Sequence, residues 1–304
     1  MQYKYKVFNL ICSSSLPLPS FIAVEEDVKP DFEVVLGSVG PDFKLEPTVK
    51  NPFTHFNENE FFYQIPDIAR YFVSNGNKVI IEPLCEDWDS ILLFFYSNCV
   101  AAILFQRNLM PFHVSGVLDK NKGLWLFAAP SRTGKSTTAL KLKEKGYTLF
   151  TDDTALISIE NNSCVATASY PVLRAWQNTL DNQHVYTYSD AKQLRAEINK
   201  FGIAFHDDFV CTSQKVRGIV FLEIQGDCIH IEKMKAIDGM KLLGDNIYRN
   251  RWVEGMNKNF LQFKTISAIA QKVPFWKALR PKDKLSFESF ADAIIEQIIE
   301  VDGK

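Results

Sequence analysis

Two stretches of this chain hold residues whose types and spacing can do chemistry. The first is Ala129-Pro130-Ser131-Arg132-Thr133-Gly134-Lys135-Ser136-Thr137. It reads A-x-x-x-x-G-K-S, a phosphate-loop pattern with Ala in the usual first glycine position. Main-chain N–H groups of such a tight loop point inward and can cradle a polyphosphate. The helix that follows adds the positive end of its dipole. Lys135 would neutralise β- and γ-phosphate oxygens, and the Ser136 hydroxyl would ligate Mg²⁺. Ser131, Arg132, Thr133, Gly134 and Thr137 would complete the nucleotide cradle. Arg132 stands where a small residue fits more easily and brings a positive charge instead. The bland alternative is a Ser/Thr-rich turn that caps an ordinary helix. Against it stand the apolar strand before the loop, Leu124-Trp125-Leu126-Phe127, and the helical pattern after it, over 138–145.

The second stretch is Asp152-Asp153, which ends an apolar strand over 147–150 and begins 17 residues after Lys135. One strand-end carboxylate can hold Mg²⁺, directly or through water. Its neighbour can then accept the proton of an attacking hydroxyl. An isolated Asp pair is more often a polar turn; directly after a loop–helix unit it reads as functional. In common phosphate-loop ATPases the metal-holding acid lies much farther along the chain, whereas here it ends the very next strand.

The surrounding pattern must position these groups. Strands are expected over 4–11 and 33–39, with a hairpin around Asn75-Gly76 joining 70–74 to 78–82. The stretch 42–60 reads as polar and irregular. A helix apolar nearly all round is expected over 89–107, capped by Asp87, Asp89 or Ser90. Strands over 112–118 and 124–128 precede the loop, and its helix ends at Gly146. A meander around Asn161-Asn162 joins 155–160 to 164–169. An amphipathic helix is expected over 189–200, and a hairpin pairs 215–224 with 228–233. Helices over 238–250 and 256–271, a strand over 275–279 and a helix over 287–299 close the chain. The expected boundary divides a β-rich region, 1–108, from a domain spanning 109–304.

This ordered set resembles the catalytic domain of the HPr serine kinase/phosphorylase family. His113-Val114-Ser115-Gly116-Val117 is similar to its His-x-Ser-x-Val segment, and Lys145-Gly146-Tyr147 to its Arg-Gly-His. Leu149-Phe150-Thr151-Asp152-Asp153 matches Leu-x-x-Asp-Asp. Tyr170-Pro171-Val172-Leu173-Arg174-Ala175-Trp176 resembles the Tyr-Pro-Gly-Leu-Arg-Leu-Trp of relatives. The usual Gly-Pro-Ser-Gly-x-Gly-Lys-Ser is altered at Ala129 and Arg132. Residues 1–108 do not look like the regulatory domain of the true HPr kinases, so HPr itself is a doubtful acceptor.

The resemblance implies an α/β phosphate-loop fold of the type shared with phosphoenolpyruvate carboxykinases. It implies a serine kinase that uses ATP and Mg²⁺. Asp152 carries over as the base, Asp153 as a metal or phosphate neighbour beside Ser136, and Lys135 as a phosphate contact. His113 carries over as an active-site residue, and a homo-oligomer is compatible with the family. Arg174 is a candidate phosphate contact, and Arg249 or Arg251 a candidate finger-like charge. Two other readings are a non-catalytic ATP-binding module and a phosphoserine phosphorylase. The acceptor is a peptide, a protein or a small molecule.

Composition excludes several other classes. Lys plus Arg is 34 and Asp plus Glu is 36, a net charge of −2 that lacks the basic excess of a nucleic-acid binder. With 46% hydrophobic residues the chain is not disordered. The six cysteines form no C-x-x-C pair, and no His lies at zinc spacing from them. Scattered thiols of this kind favour a cytoplasmic protein. The most apolar stretch, 91–105, is shorter than the roughly 20 residues of a membrane helix, and no membrane partner is expected.

Overall fold

Phe8 and Asn9 both take left-handed φ, 50° and 60°. That two-residue turn folds the expected single strand over 4–11 into a hairpin of β1 (Tyr3–Val7) and β2 (Leu10–Ser14). The structure, a computed structural model, describes residues 2–25, 28–40, 43–195, 198–283 and 286–302. The chain is a mixed α/β protein that divides into two compact units.

The first unit comprises Met1–Pro111 and Tyr248–Phe263. After the hairpin come β3 (Ile22–Ala23), β4 (Phe32–Leu36), β5 (Val49–Asn51), β6 (Thr54–Phe56), β7 (Glu60–Ile65), β8 (Ala69–Ser74) and β9 (Lys78–Pro83). They form one sheet in the order β3-β1-β2-β4-β9-β8-β7-β6-β5. The turn between β8 and β9 is the expected Asn75-Gly76, with φ of 52° and 63°. The stretch expected to be irregular holds β5 and β6, which at three residues each are too short to show alternation. Asp42, at its start, lies outside the described residues. The apolar helix runs Trp88–Gln106, and Asp87 accepts the Ser90 N–H at 3.2 Å as its cap. It is long and apolar enough to cross a membrane, but most of it is buried within this unit. Tyr71 Oη donates to its Ile91 carbonyl at 2.8 Å.

Residues 248–263 join this unit, a departure from the expected division at 108/109. The Trp252 ring lies 4.7 Å from Phe61, 5.8 Å from Phe56 and 6.3 Å from Phe105. Lys258, itself buried, donates to Glu58 at 2.9 Å and Asn108 at 2.7 Å. These contacts link residues far apart in sequence, which local pattern does not reveal.

The second unit comprises Phe112–Ile247 and Lys264–Lys304. The two-residue β10 (Pro111–Phe112) lies where the chain leaves the first unit. Then come β11 (Val114–Leu118), β12 (Leu124–Ala128), β13 (Thr148–Thr151), β14 (Ala155–Glu160), β15 (Ser163–Ala168), β16 (Val172–Trp176), β17 (Ala191–Arg195), β18 (Ile198–Ala204), β19 (Gln214–Ile224), β20 (His230–Lys233) and β21 (Phe275–Arg280). The main sheet runs β14-β15-β19-β12-β11-β13. Its centre is parallel, with β12 beside β19 and β19 beside β21. β11 and β13 run antiparallel to their neighbours. Trp125, Phe127, Leu140, Leu142, Leu149, Phe290 and Ile294 fill the core between this sheet and its helices.

Two expected elements differ. Within 189–200, Ser189 and Asp190 end a short 3-10 turn and the described residues after them belong to β17 and β18, packed as a small sheet β16-β18-β17. Pairing with β16 overrides a helix-like apolar spacing. Ala196 and Glu197 of that stretch lie outside the described residues. β20 does not pair with β19; β21 lies between them, antiparallel to β20. Parallel β19–β21 pairing joins strands some fifty residues apart, a contact no turn signal announces.

Candidate functional site

The ends of several strands converge on one place. β12 runs into the loop 129–134, and β19 and β21, parallel to it, end at Ile224 and Arg280. β11 is antiparallel to β12 and begins beside His113; β13 is antiparallel to β11 and ends at Thr151, just before Asp152. In open α/β sheets this end of the parallel strands is where ligands bind. A cavity of about 870 Å³ lies there. His113, Ser131, Arg132, Gly134, Lys135, Ser136, Thr137, Asp152, Asp153 and Arg174 all line it. Thr133 does not; its N–H turns to the Pro130 carbonyl at 3.4 Å.

The loop is tight because two residues take left-handed backbone, Arg132 at φ 68° and Gly134 at φ 114°. Glycine is needed at 134 for a second reason. A Cβ there would lie 2.8 Å from the Phe287 ring, and that ring in turn packs 3.9 Å from the Arg280 guanidinium. The helix Lys135–Glu144 starts immediately, with Thr138 N bonded to Gly134 O at 2.8 Å. Lys135 is buried and folds back over the loop, donating to Ala129 O at 2.7 Å. Burial lowers its pKa to about 8, although Asp152 and Asp153 pull it upward.

Asp152 is buried, and its charge acts on this lysine. Its Oδ1 accepts from Ser136 Oγ at 2.9 Å and from Ser115 Oγ at 2.5 Å. Its Oδ2 accepts the Arg174 N–H at 2.8 Å. β11, β16 and the loop helix therefore each supply one donor to one carboxylate.

Asp153 points elsewhere. Its backbone is left-handed, with φ 69°, and its carboxylate has other partners than that of Asp152. Arg174 Nη1 holds it at 2.8 Å, and His113 Nδ1 lies 3.7 Å from it. Burial alone would raise the Asp153 pKa, but the Arg174 guanidinium, with His113, Lys200 and Lys135, keeps it far below the usual carboxylate range. His113 Nδ1 also lies 2.8 Å from the Asp153 carbonyl; a carbonyl only accepts, so Nδ1 is assigned the proton. Burial lowers the His113 pKa and keeps the ring neutral near pH 7, against the pull of Asp153.

Ser136 and Asp153, read from sequence as a cation pair, both line the cavity but share no hydrogen bond among the described contacts. The carboxylate that Ser136 reaches is Asp152, and Arg174 has captured Asp153. Ser136 Oγ and Asp152 Oδ1 form an oxygen-only donor pair. That suits a hard cation such as Mg²⁺, which completes its shell with water and phosphate oxygens. No group of three or more His, Cys, Asp or Glu placed to hold a metal ion occurs among the described residues.

No family model matches the sequence, and no curated protein matches it. A solved structure that the chain resembles is the HPr(Ser) kinase/phosphatase from Coxiella burnetii. The identity is 14% over 64% of this chain and 99% of that one, with a TM-score of 0.32. This is a distant structural likeness.

Several residues that shape the site were not singled out from sequence. Ser115 sits inside a quoted motif, yet a serine in a strand gives no sign that it points at a carboxylate. Trp176 and Lys200 face each other across β16 and β18, so the mistaken helix over 189–200 hid the lysine. Arg280 and Phe287 arrive from the far end of the chain. Arg249 and Arg251 belong to the first unit, and Arg249 lies over the Tyr248 and Trp252 rings at 5.1 and 5.7 Å. Neither is among the cavity residues.

Proposed function

We propose that the protein is an ATP-dependent kinase that phosphorylates a serine hydroxyl. The observation that carries this reading is the buried carboxylate of Asp152, bonded to Ser136 at the start of the loop helix and lining one cavity with Lys135. A tight loop before a helix N-terminus, a lysine, a hydroxyl and an acid in this order suit a triphosphate and its cation.

In this reading, loop amides and the N-terminus of Lys135–Glu144 hold the β- and γ-phosphates. Lys135 leaves the Ala129 carbonyl and bonds phosphate oxygen. Ser136 and Asp152 would hold Mg²⁺, which would offset charge on the transferring phosphoryl group. Asp152 takes the proton of the attacking serine hydroxyl, and Ser115 and the Arg174 amide fix its orientation. Arg174 holds Asp153 as an anion beside it, and the neutral His113 ring binds the Asp153 carbonyl. Positioning and charge stabilisation, rather than covalent chemistry, supply the rate.

The test mixes the full chain with γ-labelled ATP, Mg²⁺ and a panel of seryl peptides, proteins and free serine. Acid-stable label on serine is the expected result. Nucleotide binding without transfer across the panel would leave a non-catalytic ATP-binding module in place of the kinase.

A further inference from the structure

One indole in the cavity wall carries two cations. Arg132 Cζ lies 4.7 Å from the Trp176 ring centroid and Lys200 Nζ lies 5.7 Å from it. The three residues come from the loop, the end of β16 and the start of β18, and the strand register sets Trp176 opposite Lys200. An aromatic face attracts one cation by about 0.5–1 kcal/mol at an exposed site, but two like charges on the same ring also repel each other.

Four of the other five cations that line the cavity have partners; Lys282, like Arg132 and Lys200, has no ion pair among the described residues. Seven cationic side chains and three carboxylates line the cavity. Lys141 pairs with Glu144 at 2.7 Å, Arg174 with Asp153 at 2.8 Å, and Lys135 donates to the loop carbonyl. Arg280 donates to Ser286 Oγ and to the Pro281 and Asp283 carbonyls. Among the described residues, neither Arg132 nor Lys200 has an ion pair. Lys200 is nonetheless close enough to Asp153 and Lys135 to act on the charge of both.

We propose that Arg132, Trp176 and Lys200 form an anion site for the phosphoryl acceptor, so that the acceptor carries a carboxylate close to its hydroxyl. This rests on the kinase reading. A guanidinium held over an indole face can still present its N–H fork to a carboxylate bidentately. Gln177, Asn178, Asn182 and Asn199 line the same wall and suit the amides of a peptide or the polar groups of an amino acid. The triphosphate, in contrast, is matched at the loop by Lys135 and the helix N-terminus. The carboxylate has two sources, the acceptor serine's own or that of an acidic residue beside it.

The experiment compares acceptors with the intact chain at saturating ATP and Mg²⁺. One arm pairs free serine with serinamide; the other pairs seryl peptides flanked by Glu with the same peptides carrying Gln. The expected result is a preference of about tenfold or more for the acidic member of one pair, expressed mainly in KM. Lys200→Gln should erase it, Lys200→Arg should restore it, and Lys200→Glu should reverse it. The affinity for a fluorescent ATP analogue should change less than about twofold in these variants. Equal use of acidic and neutral acceptors, or a Lys200→Gln defect confined to nucleotide affinity, would overturn the site.

A second measurement stands apart from turnover: malonate titrated into nucleotide-loaded protein, read by the tryptophan emission that Trp176→Phe removes. A saturable response lost in Lys200→Gln supports the anion site even where no acceptor is phosphorylated, and then only the kinase reading fails. No response overturns the anion site while leaving the kinase reading intact.

Discussion

Replacing Arg174 by Met probes the electrostatics on which the site is built. The guanidinium lies 2.8 Å from Asp153, and the two side chains are only 10% and 15% exposed, so water and salt screen the pair weakly. Removing one partner of a buried pair costs about 3–5 kcal/mol, because the other charge is left uncompensated. The bond from Arg174 Nη2 to Tyr170 Oη at 2.7 Å is lost too, adding about 1 kcal/mol.

The pH dependence carries the sign. In the native chain the folded pKa of Asp153 is below its unfolded value of about 3.9. Its contribution is therefore full above about pH 4 and fades as pH falls through the depressed value. In Arg174→Met the largest opposing cation is gone and burial raises the Asp153 pKa. Asp153 then takes up a proton on mild acidification, so the deficit is largest near pH 7 and shrinks toward pH 5. Urea unfolding at both pH values reads this, and Asp153→Asn in the same chain should recover most of the loss. A deficit under about 1 kcal/mol, one equal at the two pH values, or no recovery in the double variant would refute the reasoning.

Three further outcomes follow from the same geometry. Gly134→Ala puts a methyl 2.8 Å from the Phe287 ring at a φ of 114°; a loss of about 1–3 kcal/mol in thermal or urea unfolding is expected, with nucleotide affinity falling alongside. Lys135 has a pKa of about 8 in the folded chain, below its unfolded value. This group's contribution to stability therefore rises with pH between about 8 and 10.4, and a triphosphate should draw a proton onto the lysine in that window; calorimetry in buffers of different ionisation enthalpy measures the uptake. Asp152→Asn keeps the shape but not the charge, so phosphoryl transfer at saturating ATP and Mg²⁺ should fall by about 10²–10⁴-fold, as measured by single-turnover transfer.

Local signals in the sequence were legible and distant ones were not. Asn75-Gly76 and Asn161-Asn162 announce turns because few residues accept left-handed backbone. The loop, its preceding strand and its helix were legible because glycine, lysine and an apolar run must adjoin to build them. Lys135, Ser136, Asp152 and His113 were singled out, and all four line one cavity. The partnership within the acid pair was not legible: which carboxylate Ser136 meets depends on a φ at Asp153 and on Arg174, 21 residues later. Likewise β21 lies between β19 and β20 through a pairing that no adjacent residue signals. The helix expected over 189–200 gave way to strands because β16 offers an edge to pair with.

The central claim is that loop amides and the Lys135 ammonium grip a triphosphate, and isothermal titration of ATP with Mg²⁺ tests it most directly. The account predicts a saturable heat for the native chain that Lys135→Met abolishes. A native chain that gives no heat, or a Lys135→Met chain that binds as well as the native one, would contradict it.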